Sequence, residues 1–385
     1  MRSLIEVLSD FRQISQNPKA QLDNYLKQGK KVIGCMPYYC PEELVHASGM
    51  IPFGLWGAET GVMDARRYLP AYICSIIQTT LELGIGGAYK GLSAVMIPIL
   101  CDSLKSMDGN WRYGVKDIPV IPVAHAQNRK TLAGAEFTAS QYNNVKRTLG
   151  EIARRDITVS DVRISIDVYK KRNAAVRRFV DELAKRPGAL KASERNAVFK
   201  SGYYMTAEEF TVKVDELTDC IKAGSVPDAP NQSPGAGDAV GPCLVTCGIL
   251  ADNTGLLKIL DECGVCVIDD LVMHESLRYR FDAPDNDDPV MSLALMIGHI
   301  EGCPVLYDLG KKRADMLVDI VRKRAAKGVL FVMTKFCDPD EYDIVPLRKT
   351  LDKNGIKSLL VEVDQQTTDI EQTRTAIETF CEMLS

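Results

Sequence analysis

Apolar and polar positions alternate along this chain in three successive rhythms. Residues 4 to about 27 carry apolar side chains at helical spacing and read as two short amphipathic helices broken near Pro18. An α/β rhythm follows. Residues 31–35 form a short apolar run that predicts a strand, and residues 41–48 predict a helix. Pro41 suits the first helical position, Glu42 and Glu43 favour the first turn, and Gly49 supplies the stop. Residues 51–56 predict the next strand and 75–83 the next helix, with two more buried runs at 94–100 and 120–123. From about 138 to 223 only helical spacing is found, clearest over 160–185, and Thr206 with Glu209 has the spacing of a capping box. Residues 224–242, rich in Pro, Gly and Ala, read as a linker. The α/β rhythm then restarts, with strands expected at 243–249, 265–268, 329–333 and 358–363 and helices at 254–263 and 369–384.

Strands alternating with helices imply parallel sheets, and 385 residues exceed one ordinary core. The expected fold is α/β: two open parallel-sheet, flavodoxin-like domains facing a crevice, with a helical segment between them. The expected divisions are 1–137 (N-terminal helices and first α/β domain), 138–223 (helical domain), 224–242 (linker) and 243–385 (second α/β domain). The two halves echo each other, because Leu100-Cys101-Asp102 and Phe336-Cys337-Asp338 each end a buried run. In open parallel sheets, ligands sit beyond the carboxyl ends of the strands, where both Cys-Asp pairs fall.

A net charge of −4 leaves no basic face for nucleic acid. The basic cluster from Lys170 to Arg178 shares its helix with Asp167 and Asp181, so it reads as a solvated face before a subunit or ligand-phosphate contact. No uninterrupted apolar stretch resembles a secretory signal or a membrane span, so a cytoplasmic location is expected, with no membrane partner. In a reducing compartment the 12 cysteines are packing thiols, metal ligands or redox groups before they are disulfides.

Three of them stand where chemistry is expected. Cys101 and Cys337 follow buried strands, and Cys74 precedes a helix whose N-terminal N–H groups favour the thiolate that ligates metal. Iron–sulfur clusters take thiolates converging from separate segments; the other reading is three unrelated buried thiols. Cys35 could reach the same crevice, whereas Cys40 reads as a helix-start residue. Cys243 and Cys247 followed by Cys263 and Cys266 mimic a zinc ribbon, but they bracket or interrupt buried strands and read as packing thiols, as do Cys220, Cys303 and Cys381. Gly235-Ala-Gly-Asp-Ala-Val-Gly241 precedes a strand instead of following one, so it reads as linker, not phosphate loop. His46 and His125 read as satisfied histidines. Asp269, Asp270, Glu275 and Arg278 read as a structural ion-pair network.

Residues 34–50 (GCMPYYCPEELVHASGM), 73–78 (ICSIIQ), 98–104 (PILCDSL) and 335–342 (KFCDPDEY) together resemble the 2-hydroxyacyl-CoA dehydratase family. That family acts on 2-hydroxyglutaryl-, 2-hydroxyisocaproyl-, lactoyl- and phenyllactyl-CoA, and the likeness is greatest to its beta-type subunit. The resemblance implies a 4Fe-4S cluster held by Cys74, Cys101 and Cys337, with Cys35 as a further candidate ligand. It implies two partners, an alpha-type subunit that binds the (R)-2-hydroxyacyl-CoA substrate and an ATP-hydrolysing iron–sulfur activator. The implied chemistry is dehydration to the 2-enoyl-CoA. One electron on the thioester carbonyl gives a ketyl radical that expels the hydroxide, and the electron is afterwards recovered. This chain would relay that electron, and no residue is singled out as the proton-transfer base. A bound flavin is left open, with no motif to support one. The competing readings are a subunit of a related CoA-thioester reductase of the benzoyl-CoA reductase kind, and a non-enzymatic two-domain binding protein.

Overall fold

The computed structural model describes residues 2–224, 241–366 and 370–384. Nearly all of the expected linker lies outside these, as do most of the glycine-rich stretch from 235 and the expected start of the last helix, which runs from Glu371 to Leu384.

Among the described residues, eight strands form two four-stranded sheets. The first contains β1 (Val32–Cys35), β2 (Ile51–Gly54), β3 (Ala94–Pro98) and β4 (Val120–Val123), in the order β2-β1-β3-β4. The second contains β5 (Cys243–Gly248), β6 (Cys266–Val272), β7 (Gly328–Thr334) and β8 (Lys357–Val363), in the order β6-β5-β7-β8. All pairings are parallel. β1, β2, β3 and β7 are buried along their whole length, which is why they read as unbroken apolar runs and not as alternating ones. In each sheet the chain passes from its first strand outward to the second, then crosses to the opposite side for the third. The strand order therefore reverses beside β1 and beside β5, and a crevice opens at the carboxyl ends there. Gly248, at φ +156°, ends β5 so close to β7 that a Cβ would stand 2.1 Å from the Val332 carbonyl oxygen.

Four helices lie between the sheets in sequence: Leu132–Ala153, Val159–Lys185, Ala192–Ser201 and Ala207–Lys222. The last three and the N-terminal helix Leu4–Gln16 close a separate apolar core around Phe11, Phe179, Phe199 and Phe210. The first of the four begins before the expected 138 because Thr131 caps it, accepting from the Gly134 N–H at 3.1 Å.

Two expectations change. β6 runs four residues past Ile268, because Asp269 and Asp270 lie inside it. Their carboxylates are met by arginines: Asp270 by Arg195, and Asp269 by Arg280 at 2.5 Å and Arg324 at 2.7 Å. Arg278 is not a member of that network. It turns away to Glu42, 2.7 Å distant in the first half of the chain.

Candidate functional site

Cys74, Cys101 and Cys337 share one local design. Each is the N-cap residue of a helix: Cys74 of Ser75–Ile85, Cys101 of Asp102–Gly114 and Cys337 of Asp338–Lys353. The first-turn N–H groups of a helix have no partner within it. Here, among the described residues, no first-turn N–H bonds a cap sulfur: the Ile77 and Asp340 N–H groups turn back to the carbonyls of Cys74 and Cys337 at 3.1 and 3.0 Å, and what each sulfur meets is the positive end of its helix dipole. Burial nevertheless dominates, lifting the Cys74 thiol to about 12 and raising Cys101 and Cys337 as well. Without a cation between them the three remain thiols, and a bound metal charge is what would ionise them.

The three cysteines line a single cavity of about 240 Å³, two coming from the first half and one from the second. Two aromatic residues in the left-handed backbone region help to wall it, Tyr38 at φ +34° and Phe336 at φ +62°. Such φ values in non-glycine residues cost on the order of 1–3 kcal/mol and cluster at functional sites. At Phe336 the cost sets the turn that delivers Cys337 directly into its helix cap.

Cys74 and Cys337 belong to different halves, and one glutamine ties them. Gln365, two residues beyond β8, accepts from Thr79 Oγ1 at 2.7 Å, donates through Nε2 to the Trp56 carbonyl at 2.9 Å, and donates its backbone N–H to Ser75 Oγ at 3.1 Å. It thus grips the helix that Cys74 caps from the second half of the molecule. Gly57 makes room for it: at φ +74°, a Cβ there would stand 2.6 Å from the glutamine oxygen and 2.1 Å from the Thr79 hydroxyl.

Cys35 is not brought to the other three. It lines a second cavity of about 80 Å³, which shares Pro37 and Tyr38 with the first. Its buried thiol lies 3.6 Å from the Ile33 carbonyl. Cys303 is not as isolated as its sequence context suggests: it accepts the Leu306 N–H at 3.4 Å and lies against Tyr39. His46 bonds Ser165 and Glu208 and is satisfied, as expected; His125 bonds the Tyr142 hydroxyl through Nε2, but its buried Nδ1 has no partner among the described residues. Glu42 is held by Arg172 and Arg278. In the zinc-ribbon set, Cys243 faces Cys266 across the β5–β6 register while Cys247 lies four residues along the strand against Arg313. Among the described residues no group of three or more His, Cys, Asp or Glu closes on a single metal ion. A cubane cluster takes its thiolates at separate irons, which spaces them wider than around one ion, so three cavity-lining thiols on separate helix caps fit that group.

Tyr38, Ser103, Phe336 and Gln365 are the site residues that sequence reasoning did not single out. Ser103 follows the Cys-Asp pair and Tyr38 lies three residues from Cys35, so both stood next to a signal. Gln365 had none, because its partners lie about 290 positions away.

A family model described as "2-hydroxyglutaryl-CoA dehydratase, D-component" matches residues 37–384. The chain is 42% identical over 377 residues to the (R)-phenyllactyl-CoA dehydratase beta subunit of Clostridium sporogenes, spanning 98% of each. It is 36% identical to the (R)-2-hydroxyglutaryl-CoA dehydratase beta subunit of Acidaminococcus fermentans, covering 98% of this chain and 99% of the relative. To the lactoyl-CoA dehydratase beta subunit of Anaerotignum propionicum it is likewise 36% identical, over 98% of each.

Proposed function

The chain belongs to the 2-hydroxyglutaryl-CoA dehydratase D-component family, and from that premise we propose that it is the iron–sulfur beta subunit of a 2-hydroxyacyl-CoA dehydratase, a hydro-lyase. The observation that carries the cluster assignment is the convergence of Cys74, Cys101 and Cys337, each a helix cap, on one cavity between the two sheets.

A 4Fe-4S cluster bound there supplies reversible one-electron transfer. The chain's own residues do the rest. Cys74, Cys101 and Cys337 would hold iron as thiolates, each at the positive end of a helix dipole. Positive charge beside a cluster raises its reduction potential, whereas burial and net negative charge lower it. Asp338, Asp340 and Glu341 in the first turn after Cys337 put negative charge on that side. As the family resemblance implies, the thioester and its proton chemistry fall to an alpha-type partner. In this reading the chain relays an electron delivered by an ATP-dependent activator.

The test is anaerobic co-purification with the alpha-type partner, followed by iron and sulfide analysis and an assay with activator, ATP and a panel of 2-hydroxyacyl-CoA thioesters. Water loss without net reduction is the expected result. Net substrate reduction would make the complex a reductase, and a colourless, iron-free chain would make it a binding protein. The chain by itself should give no enoyl-CoA, and turnover without partner and activator would refute the relay role.

A further inference from the structure

The four cysteines that mimic a zinc ribbon are not explained by cluster binding, and two of them form a pair. β5 and β6 are parallel neighbours, and Cys243 and Cys266 are register partners at the amino ends of both strands. Adjacent strands run about 4.8 Å apart, inside the Cα separation of roughly 4.4–6.8 Å that a disulfide spans. Backbone hydrogen bonds hold the pairing on both flanks. The Gly241 N–H donates to the Gly264 carbonyl at 2.9 Å, and the Cys266 N–H to the Pro242 carbonyl at 3.2 Å. On the other side of β5, the Lys327 N–H donates to the Cys243 carbonyl at 2.8 Å. Gly264, at φ +65°, makes the turn that carries the chain from the helix Thr254–Glu262 into β6. The other two members of the set stand apart: Cys247 accepts from Arg313 at 3.3 Å, and Cys263 caps the preceding helix.

The two thiols are not equivalent. Cys243 is half-buried, whereas Cys266 is only 5% exposed. Burial raises both, that of Cys266 to about 11. The neighbouring Cys243 adds to the rise at Cys266, while at Cys243 the influence of Cys266 and of the Lys327 cation works downward. Cys243 is therefore the thiol that ionises first and meets a reagent from solvent, and Cys266 stands behind it.

We propose that Cys243 and Cys266 are a redox-modification site, a dithiol that a low-molecular-weight disulfide converts to an intrachain disulfide. The Cys243 thiolate attacks one sulfur of the reagent and expels a thiolate, leaving a mixed disulfide. Cys266 then gives up its proton and attacks the Cys243 sulfur, expelling the second half of the reagent. The protein loses two electrons and two protons, and the reagent gains both as two thiols. The new bond ties the opening of β5 to the opening of β6, at the end of the sheet away from Cys337. The inference does not depend on the cluster, because neither residue lines either cavity.

The probe is oxidised glutathione, applied anaerobically to the full-length chain and followed by alkylation, trypsin digestion and mass spectrometry. Cleavage after Lys222, Lys258 and Arg278 places Cys243 and Cys247 on one peptide and Cys263 and Cys266 on the next. The two peptides should become joined, at least tenfold above the untreated chain, and dithiothreitol should part them. Cys243→Ser and Cys266→Ser should each abolish the joined form, whereas Cys247→Ala and Cys263→Ala should leave it. Fragmentation of the joined wild-type peptides locates the same bond without any substitution, should a variant fold poorly. No joined form, a mixed disulfide on Cys243 that never closes, a bond mapped to Cys247 or Cys263, or a joined form that survives Cys266→Ser would each overturn the assignment. None of these outcomes bears on whether iron is bound.

Discussion

Cysteines occupy both ends of the second sheet, and the two ends use sulfur in opposite ways. At the carboxyl end Cys337 opens a helix, and its sulfur sits at the positive end of that helix's dipole. At the amino end Cys266 sits at the start of β6 beside Cys243, and its sulfur lies 3.7 Å from the Gly264 carbonyl, to which only a protonated thiol can donate. Cys263, at the C-terminal cap of Thr254–Glu262, stands where carbonyls and not N–H groups are left over. The first half repeats the contrast. Cys74 and Cys101 likewise open helices, whereas Cys35 and Cys40 lie 3.6 and 3.4 Å from the carbonyls of Ile33 and Met36. A sulfur at the positive end of a helix dipole is prepared for negative charge, and one facing carbonyls is prepared to keep its proton. Cys247 and Cys303 accept from Arg313 and Leu306, but neither lines the cavity of the three.

That contrast can be broken at several strengths. The largest effect is expected from Cys101→Ala or Cys337→Ala, which should abolish iron binding and visible absorbance in anaerobically prepared protein. Full iron content in either variant would end the ligand assignment. Next comes acid. Each half carries a buried neutral histidine two residues beyond a strand: His125 after β4, held down to about 4, and His274 after β6, held down to about 3. Burial is the main cause in both. Because the folded values lie below the unfolded one, the unfolded chain takes up protons first as pH falls. Stability should therefore be complete above about pH 6.5 and decline toward pH 3–4, by on the order of 3 kcal/mol per histidine. Denaturant melts from pH 7 to 4 test this, and a flat profile would contradict it. Gln365→Ala is intermediate: loss of its bonds across the halves should cost about 1–3 kcal/mol and hasten iron release to a chelator, with the ligand set intact. An unchanged release rate would show that the two halves hold Cys74 and Cys337 in place without it. The smallest change is expected from Cys266→Ala, about 1 kcal/mol of packing by denaturant melt and no loss of iron. Iron loss there would erase the distinction between the two ends.

β1, β2, β3 and β7 were legible because they are buried along their whole length, so unbroken apolar runs stood out. The three cavity thiols were legible because a Cys after a buried strand, or before a helix, falls at a sheet's carboxyl edge. The helices after Cys101 and Cys337 were not. Asp102–Gly114 buries only Leu104, Met107 and Trp111, and Asp338–Lys353 carries Pro346 within it, which reads as a breaker. β6 was cut short for a related reason, since paired aspartates in a buried strand make sense only once arginines from elsewhere arrive. The reach of Arg278 to Glu42 and of Gln365 to Thr79 depends on folds closing over more than 200 residues of chain. Local pattern carries no trace of such contacts.

Gly57 and Gln365 together limit how this chain can drift. An alanine at 57 would push its methyl group into the glutamine oxygen and the Thr79 hydroxyl. A shorter side chain at 365 would relieve the clash but fall short of the Trp56 carbonyl. The two positions are therefore free to vary only as a pair, and homologous chains that swap one without the other should be those whose halves have shifted against each other.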